Sequence, residues 1–383
     1  MKKVIILFSF FFLVCFNVKA EEIVEHSESA ILIEMSTGKV LYEKEADVEK
    51  APASMTKIMS MILIMDAINN GNLTLEDNVL ISENASSMGG SQVYLNTGDK
   101  YKVKDLLKSI AIASANDAVV AMAEKIGGTE EKFVEMMNKK CKELGCTHTR
   151  FINPHGLDAE GHYSSARDMG LMGTYLVKEY PEILKFTSIY EDYLDRPDGT
   201  NTWLVNTNKL VRFYEDVDGL KTGFTSTAGY CLTATANKNN MRLISVVMGV
   251  DTPDNRTSDT VKLLNYGFNS YKLSTIYKKN KIIDKVRVEK GKKDSVKLIL
   301  MEDATELLNI NDKQKKYTIN IKINKIVAPI KKGDKVGYAE ILDNDSNVIG
   351  KINLTVNENI NKANLWDYFK RNLNLSITGK KII

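Results

Sequence analysis

Three short stretches of the 383-residue chain hold residue types suited to nucleophilic catalysis. The first is "PASMTKIMSMILIM" (Pro52–Met65), where Lys57 follows Ser54 at a spacing of three. On a helix that spacing puts both side chains on one face, about a turn apart. A hydroxyl and an amine so placed can act as nucleophile and base. Ser54 comes just after Pro52, in the expected first turn, where free N–H groups and the helix dipole favour developing negative charge. Met55, Ile58, Met59 and Ile62 are the apolar neighbours of Lys57. Burial among them lowers the pKa of the amine by desolvation, and a neutral lysine can take the serine proton.

The second stretch is Ser114-Ala-Asn116, at an expected sharp break between two helices. A loop there can aim side chains into a cleft, although Ser114–Asp117 also suits a plain helix N-cap cluster. The third is Lys221-Thr222-Gly223 in "DGLKTGFT", on an expected strand. Alternation puts Lys221 and Gly223 on one face and Thr222 on the other, unless the strand is twisted or at an edge. Gly223 lets a ligand approach the backbone closely. Two decoys repeat these spacings. Ser36 and Lys39 flank a hairpin turn at Gly38, so they share no helical face. Ser82-Glu-Asn84 copies the second box without a break between two helices.

Larger elements must bring the boxes together. Ala30–Asp47 reads as a hairpin turning at Thr37-Gly38. A helix is expected from about Ala53 to Asn70, stopped by Gly71. "YKVKDLLKSIAIASANDAVVAMAEKIGG" reads as two helices, the second closed by Gly127-Gly128. Further helices are expected over 130–145 and Ser165–Tyr180. Asp218–Val250 reads as three short strands with turns at Ser226–Gly229 and Asn237–Asn240, followed by a helix over Asn255–Tyr271. Strands at both ends and helices between them imply an α+β fold: one mostly antiparallel sheet with helices packed on it. From about Leu273, five short alternating strands indicate a small all-β domain of sandwich or barrel type, with no catalytic constellation.

Hydrophobic residues make up 43% of the chain and charged residues 26%, as in an ordinary globular protein. A net charge of +3 implies no nucleic-acid surface. Residues 1–20 combine the basic "MKK", the apolar "VIILFSFFFLVCF" and a "VKA" ending at Ala20. This is the pattern of a cleaved secretory signal peptide, and the apolar run is short for a spanning helix. Cys15 follows Val14 rather than a small residue, so no lipoprotein site is read. Cys141, Cys146 and Cys231 remain, an odd count that gives no disulfide framework. Cys141 and Cys146 could pair only if their helix breaks at Gly145. In the tail, residues 362–383, Leu365, Trp366, Phe369, Leu373 and Ile377 fall on one helical face, with Asp367, Lys370, Arg371 and Asn374 elsewhere. Such a helix either lies in a membrane interface or docks on its own domain.

The three boxes in this order, with "SENASSMGGSQVYL", "IASANDAVVAMAEKIGG", "INPHGLDAEGHYSSARDMGLM" and "VDGLKTGFTSTAGYCLTATA" around them, resemble the low-molecular-mass penicillin-binding proteins, specifically serine D-alanyl-D-alanine carboxypeptidases. The resemblance runs from about Glu28 to Tyr271, and the β-module looks like that family's C-terminal domain. It implies a β-lactamase/transpeptidase-like catalytic domain over 26–272 and a β-rich domain over 273–358. It implies that Ser54 is the acylated nucleophile and Lys57 its base. Ser114 would relay a proton to the leaving D-alanine, and Asn116 would contact the peptide amide. Lys221 would tune the site, Thr222 and Arg256 would bind the terminal carboxylate, and Gly223 would allow close approach. Backbone N–H groups of Ser54 and Phe224 would form the oxyanion hole. Phe224 stands where some relatives carry a polar residue, which bears on substrate preference. The implied partners are peptidoglycan stem peptides ending in D-Ala-D-Ala, with β-lactams as covalent inhibitors, outside the cytoplasmic membrane. No cofactor is expected.

Rival chemistries have weaker support. A serine β-lactamase of this fold needs a Glu-x-x-Leu-Asn loop between the second and third boxes; Glu306-Leu-Leu-Asn309 lies after the third. A transpeptidase of the same fold shares the boxes. For a zinc peptidase, His148, His155 and His162 lie near Asp158 and Asp168, but spacings of seven match no ligand pattern. An inactive wall-binding protein is not suggested by three intact boxes.

Overall fold

The structure is a computed structural model that describes residues 23–313 and 315–378. The expected signal peptide, residues 1–20, lies outside the described residues. The chain opens with the expected hairpin, β1 (Ser29–Glu34) and β2 (Lys39–Lys44). Ala53–Thr56 form a 3-10 turn that runs into α1 (Lys57–Asn69). Apolar residues cover nearly every side of α1, and it is buried accordingly. Two short strands, β3 (Asn78–Leu80) and β4 (Lys100–Lys102), pair on either side of the one-turn helix α2 (Glu83–Ser86).

α3 (Val103–Ala113) and α4 (Asn116–Gly127) break where the sequence predicts, at Ser114. α5 (Glu130–Leu144) ends at Gly145, whose φ of 87° is left-handed and suits glycine. α6 (Ala166–Glu179) and the short α7 (Leu184–Thr187) follow. β5 (Glu191–Asp195) and β6 (Asn201–Val205) make a hairpin that the sequence patterning does not single out. After α8 (Leu210–Phe213) come β7 (Val217–Thr225), β8 (Gly229–Lys238), β9 (Met241–Val250) and the long α9 (Pro253–Ser270).

The five-stranded sheet runs β2-β1-β9-β8-β7, with every pair antiparallel. β1 is therefore an interior strand, and it pairs with β9 from Ser29↔Met248 to Glu34↔Leu243. Its side chains alternate between two cores. Ile31 and Ile33 join α1, α3, α4 and α6 on one face; Ala30 and Leu32 join α9 on the other. Glycines bring both helix layers close. A Cβ on Gly170 of α6 would lie 2.8 Å from Ile33, and one on Gly267 of α9 would lie 2.5 Å from Leu243.

The remaining chain holds β10 (Tyr271–Tyr277), β11 (Ile282–Glu289), β12 (Ser295–Leu300), β13 (Ala304–Asn309), β14 (Thr318–Ile323), β15 (Ile326–Val327), β16 (Gly337–Leu342) and β17 (Val348–Val356). A six-stranded sheet, β14-β16-β17-β12-β11-β15, faces the pair β10-β13 around a separate core that includes Val288, Leu298, Leu300, Ile341 and Leu354. The five expected strands are present; β10, β13 and β15 are additional. Glu306–Asn309 belongs to β13, far in sequence from the boxes. α10 (Leu365–Thr378) follows the sheet. Its Arg371 donates to the carbonyls of Gly291 and Lys292 and pairs with Asp294. Its apolar stripe turns outward: Leu365 is 90% exposed and Ile377 72%. No described helix is long and apolar enough to cross a membrane.

Candidate active site

Ser54 does not lie on α1 itself, as the expected helix from Ala53 would have it. It occupies the tighter 3-10 turn, and Lys57 opens α1. The turn is entered through Ala53 at φ 47°, a left-handed conformation that costs a non-glycine residue about 1–2 kcal/mol. Two glycine backbones approach this turn closely: a Cβ on Gly156 would lie 1.9 Å from the Ala53 carbonyl oxygen, and one on Gly223 would lie 2.7 Å from that of Pro52.

Lys57 is fully buried. Its Nζ donates to Ser54 Oγ at 3.0 Å, to Asn116 Oδ1 at 2.7 Å and to the His155 carbonyl at 2.7 Å. Burial holds its pKa well below that of ordinary lysine; the nearby Lys221 charge adds to this and Asp117 opposes it. The amine is thus aimed at the serine hydroxyl and biased toward the neutral form.

The second box is built at the α3–α4 break. Ser114 is the α3 C-cap at φ 61°, and its buried Oγ finds no hydrogen-bond partner among the described residues. Asn116 is the first residue of α4, so it belongs to the helix rather than to a loop. Its N–H donates to Ser91 O and its Nδ2 to Gly89 O, both at 2.7 Å. Asp117, not singled out for a role by its type, clamps the facing loop by accepting the N–H groups of Val93 and Leu95 at 3.0 and 3.1 Å. Burial raises its pKa despite these bonds.

The third box lies on β7, the edge strand. Lys221 and Thr222 are adjacent, yet both are buried; β7 pairs with β8 and also packs against the turn that carries Ser54. Thr222 Oγ1 donates to Thr207 Oγ1 at 2.7 Å. Thr207 carries no motif and was not legible as a site neighbour. Its N–H donates to Ile112 O, which ties the segment after β6 to the end of α3. Phe224 is exposed and stacks on Tyr230, with ring centroids 4.3 Å apart.

Arg256 lies in the first turn of α9, buried, with its Nε unpartnered among the described residues. Burial lowers its pKa. Burial, and then the Arg256 charge, bring Lys221 down to about 7. Lys221 and Arg256 thus repel one another as cations and each would gain from a bound anion, while the Lys221 charge helps to keep Lys57 neutral.

The histidines have other work. His162 Nδ1 accepts the Ile152 N–H, so its proton lies on Nε2, which faces Thr56 Oγ1 at 2.8 Å. His155 Nδ1 accepts the Leu157 N–H. Burial lowers both, to about 4 and about 3 respectively. Asp168 accepts from Thr147, His148 and Thr149, while Asp158 accepts from Thr225 Oγ1. Among the described residues, no group of three His, Cys, Asp or Glu side chains is arranged to hold a metal ion. Of the decoys, Ser36 donates to Glu34 in the hairpin turn, and Ser82 caps α2.

Comparison with known proteins gives a consistent result. The family profile described as D-alanyl-D-alanine carboxypeptidase matches residues 16–252, and that of the penicillin-binding protein 5 C-terminal domain matches residues 271–362. The chain is 48% identical to D-alanyl-D-alanine carboxypeptidase DacF of Bacillus subtilis, over 93% of this chain and 91% of that protein. It is similar to the crystal structure of penicillin-binding protein 5 from Haemophilus influenzae, with a TM-score of 0.70 and 33% identity over 88% of this chain and 98% of that one. It is also similar to penicillin-binding protein D2 of Listeria monocytogenes in its ampicillin-bound form, with a TM-score of 0.57 and 32% identity over 63% of this chain and 97% of that one.

Proposed function

The chain belongs to the D-alanyl-D-alanine carboxypeptidase family, and from that premise we propose that Ser54 is the residue it acylates. The enzyme is a serine-type hydrolase that removes the terminal D-alanine from peptidoglycan stem peptides. The family works outside the cytoplasmic membrane and binds β-lactams. The observation that carries the assignment of Ser54 is the fully buried Lys57 amine, 3.0 Å from Ser54 Oγ.

In this reading, Lys57 takes the Ser54 proton as Oγ attacks the penultimate D-alanine carbonyl. The N–H groups of Ser54 and Phe224 hold the oxyanion, with Gly223 allowing the two backbones to approach. Asn116 contacts the peptide amide. Ser114, whose hydroxyl lacks a partner among the described residues, passes a proton to the departing amine. Thr222 and Arg256 hold the terminal carboxylate, and Lys221 supplies field. Water then cleaves the ester. The test is release of D-alanine from a diacyl-L-Lys-D-Ala-D-Ala peptide, with the mass of a penicillin adduct mapped to Ser54. An intact peptide together with an unmodified Ser54 overturns the assignment.

We further propose that residues 1–20 are a cleaved signal peptide. Residues 26–272 would be the catalytic domain and 273–358 the C-terminal β-rich domain. The tail, 362–383, would rest on the outer surface of the cytoplasmic membrane. What supports the membrane contact is the outward apolar stripe of α10, rooted among lysines. Residues 271–364 carry 20 basic and 12 acidic side chains. Lys290, Lys292, Lys331, Lys332 and Lys362 gather around the backbone bonds that anchor the start of α10. Basic residues beside an amphipathic helix attract anionic headgroups.

A further inference from the structure

α5 ends in a particular way. The Cys146 N–H donates to the Cys141 carbonyl at 3.0 Å, and the Gly145 N–H donates to that of Lys142 at 3.1 Å. With Gly145 left-handed, this is a Schellman motif. In that motif the side chains at the two ends of the longer bond commonly touch, and are usually apolar. Here both are cysteine. Cys141 is buried in the main core and Cys146 half-buried, while Cys231 is fully buried and belongs to β8. The helix break at Gly145, on which pairing depends, is present.

We propose that Cys141 and Cys146 are a thiol pair that closes to an intramolecular disulfide outside the cytoplasmic membrane, fastening the end of α5 to the segment leading to the catalytic lysine. That segment is continuous. Thr147, His148 and Thr149 bind Asp168 at the start of α6. Phe151 exchanges two hydrogen bonds with Asn138 of α5. Pro154 O accepts from Ser60, and His155 O accepts from Lys57. Cys141–Cys146 would add a covalent tie at its beginning.

The oxidant is an external disulfide. The more accessible Cys146 attacks one of its sulfurs, expelling one thiolate and leaving a mixed disulfide. Cys141 then attacks Cys146 Sγ and releases the second thiol. Two electrons pass from the pair to the oxidant, and the two thiol protons end on the released thiols. The Cys146 thiol is held above the ordinary range, first by its hydrogen bond to Cys141 and then by burial. A thiol of high pKa attacks slowly but also leaves slowly, so the closed bond resists reduction once formed. Peptidoglycan lies in the extracytoplasmic compartment, where disulfides persist.

The test uses the full folded protein, incubated with oxidised glutathione at pH 8, trapped with iodoacetamide and digested with trypsin. The peptides Cys141–Lys142 and Glu143–Arg150 should be recovered joined, with Cys231 alkylated only after denaturation. Recovery of both peptides singly, alkylated or carrying glutathione, overturns the pair. The oxidised protein should melt about 5 °C higher than the reduced one, and the Cys141→Ser/Cys146→Ser variant should lose this difference while acylating with penicillin at the normal rate. A joined pair with no rise in midpoint overturns the fastening role. Normal acylation in the variant keeps the result separate from the assignment of Ser54.

Discussion

At the scale of single residues, the site depends on how protons are placed. Lys57 gives three hydrogen bonds in a dry setting, so replacing it by the similarly long, neutral Met removes the proposed base and keeps the side-chain volume. Lys57→Met should keep the circular dichroism spectrum and melting curve close to wild type while penicillin acylation falls about 10²–10⁴-fold. Acylation at the normal rate would show that Lys57 is not the base. Lys221 gives a pH signature. In the proposed mechanism its positive charge supplies the field in which the terminal carboxylate is held, and it loses its proton at about 7 in the free enzyme. kcat/KM should therefore fall as pH rises through about 7. The matching limb in kcat should appear at higher pH, because a bound carboxylate stabilises the ammonium. A kcat/KM profile with no limb near 7, or one unchanged in Lys221→Met, contradicts this. The partners of these residues were legible unevenly. Ser54 and Lys57 meet as their spacing implies, and Asn116 joins them as the family resemblance implies. The His155 carbonyl and the Thr207 hydroxyl left no trace, because a backbone oxygen has no residue type and a threonine outside a motif looks like any other.

At the scale of elements, the helices and the main sheet followed from apolar periodicity, and their ends from glycines such as Gly71, Gly128 and Gly145. The 3-10 turn at Ser54 did not follow, because local propensity favours α-helix and the close approach of Gly156 and Gly223 to that turn joins residues distant in sequence. Gly156 makes this testable. It has φ +89°, and a Cβ there meets Ala53 O at 1.9 Å. Gly156→Ala should cost about 2–4 kcal/mol in stability, and it should slow acylation by displacing the turn that holds Ser54. Chemical denaturation and a penicillin-binding time course measure the two effects; a fully stable variant refutes the close contact. The β5–β6 hairpin is not legible in the sequence because Tyr193 and Trp203 face solvent while only Leu194 and Leu204 are buried on its inner side, which leaves a strand pattern too short to stand out.

At the scale of the whole molecule, charge is divided unevenly. Residues 21–270 carry 36 acidic and 25 basic side chains, the reverse of the balance in the β-rich part. An anionic surface should therefore attract the α10 end and repel the catalytic end. The full chain should sediment with vesicles of anionic lipid, less so with zwitterionic lipid or in high salt. A chain truncated after residue 361 should stay in solution and keep its D-alanine release. Equal sedimentation of the two chains removes the tail from the membrane contact. The sheet order has a consequence in time. β1 is interior and finds its neighbour β9 only about two hundred residues later, and Ser27 likewise bonds Asp259 of α9. Contacts so distant in sequence form slowly. The catalytic domain therefore cannot close from its beginning as the chain emerges. Ser54 is among the first residues made, yet it meets Lys221 and Gly223 only after β7, β8 and β9 have joined the sheet, so activity arrives at the end of assembly.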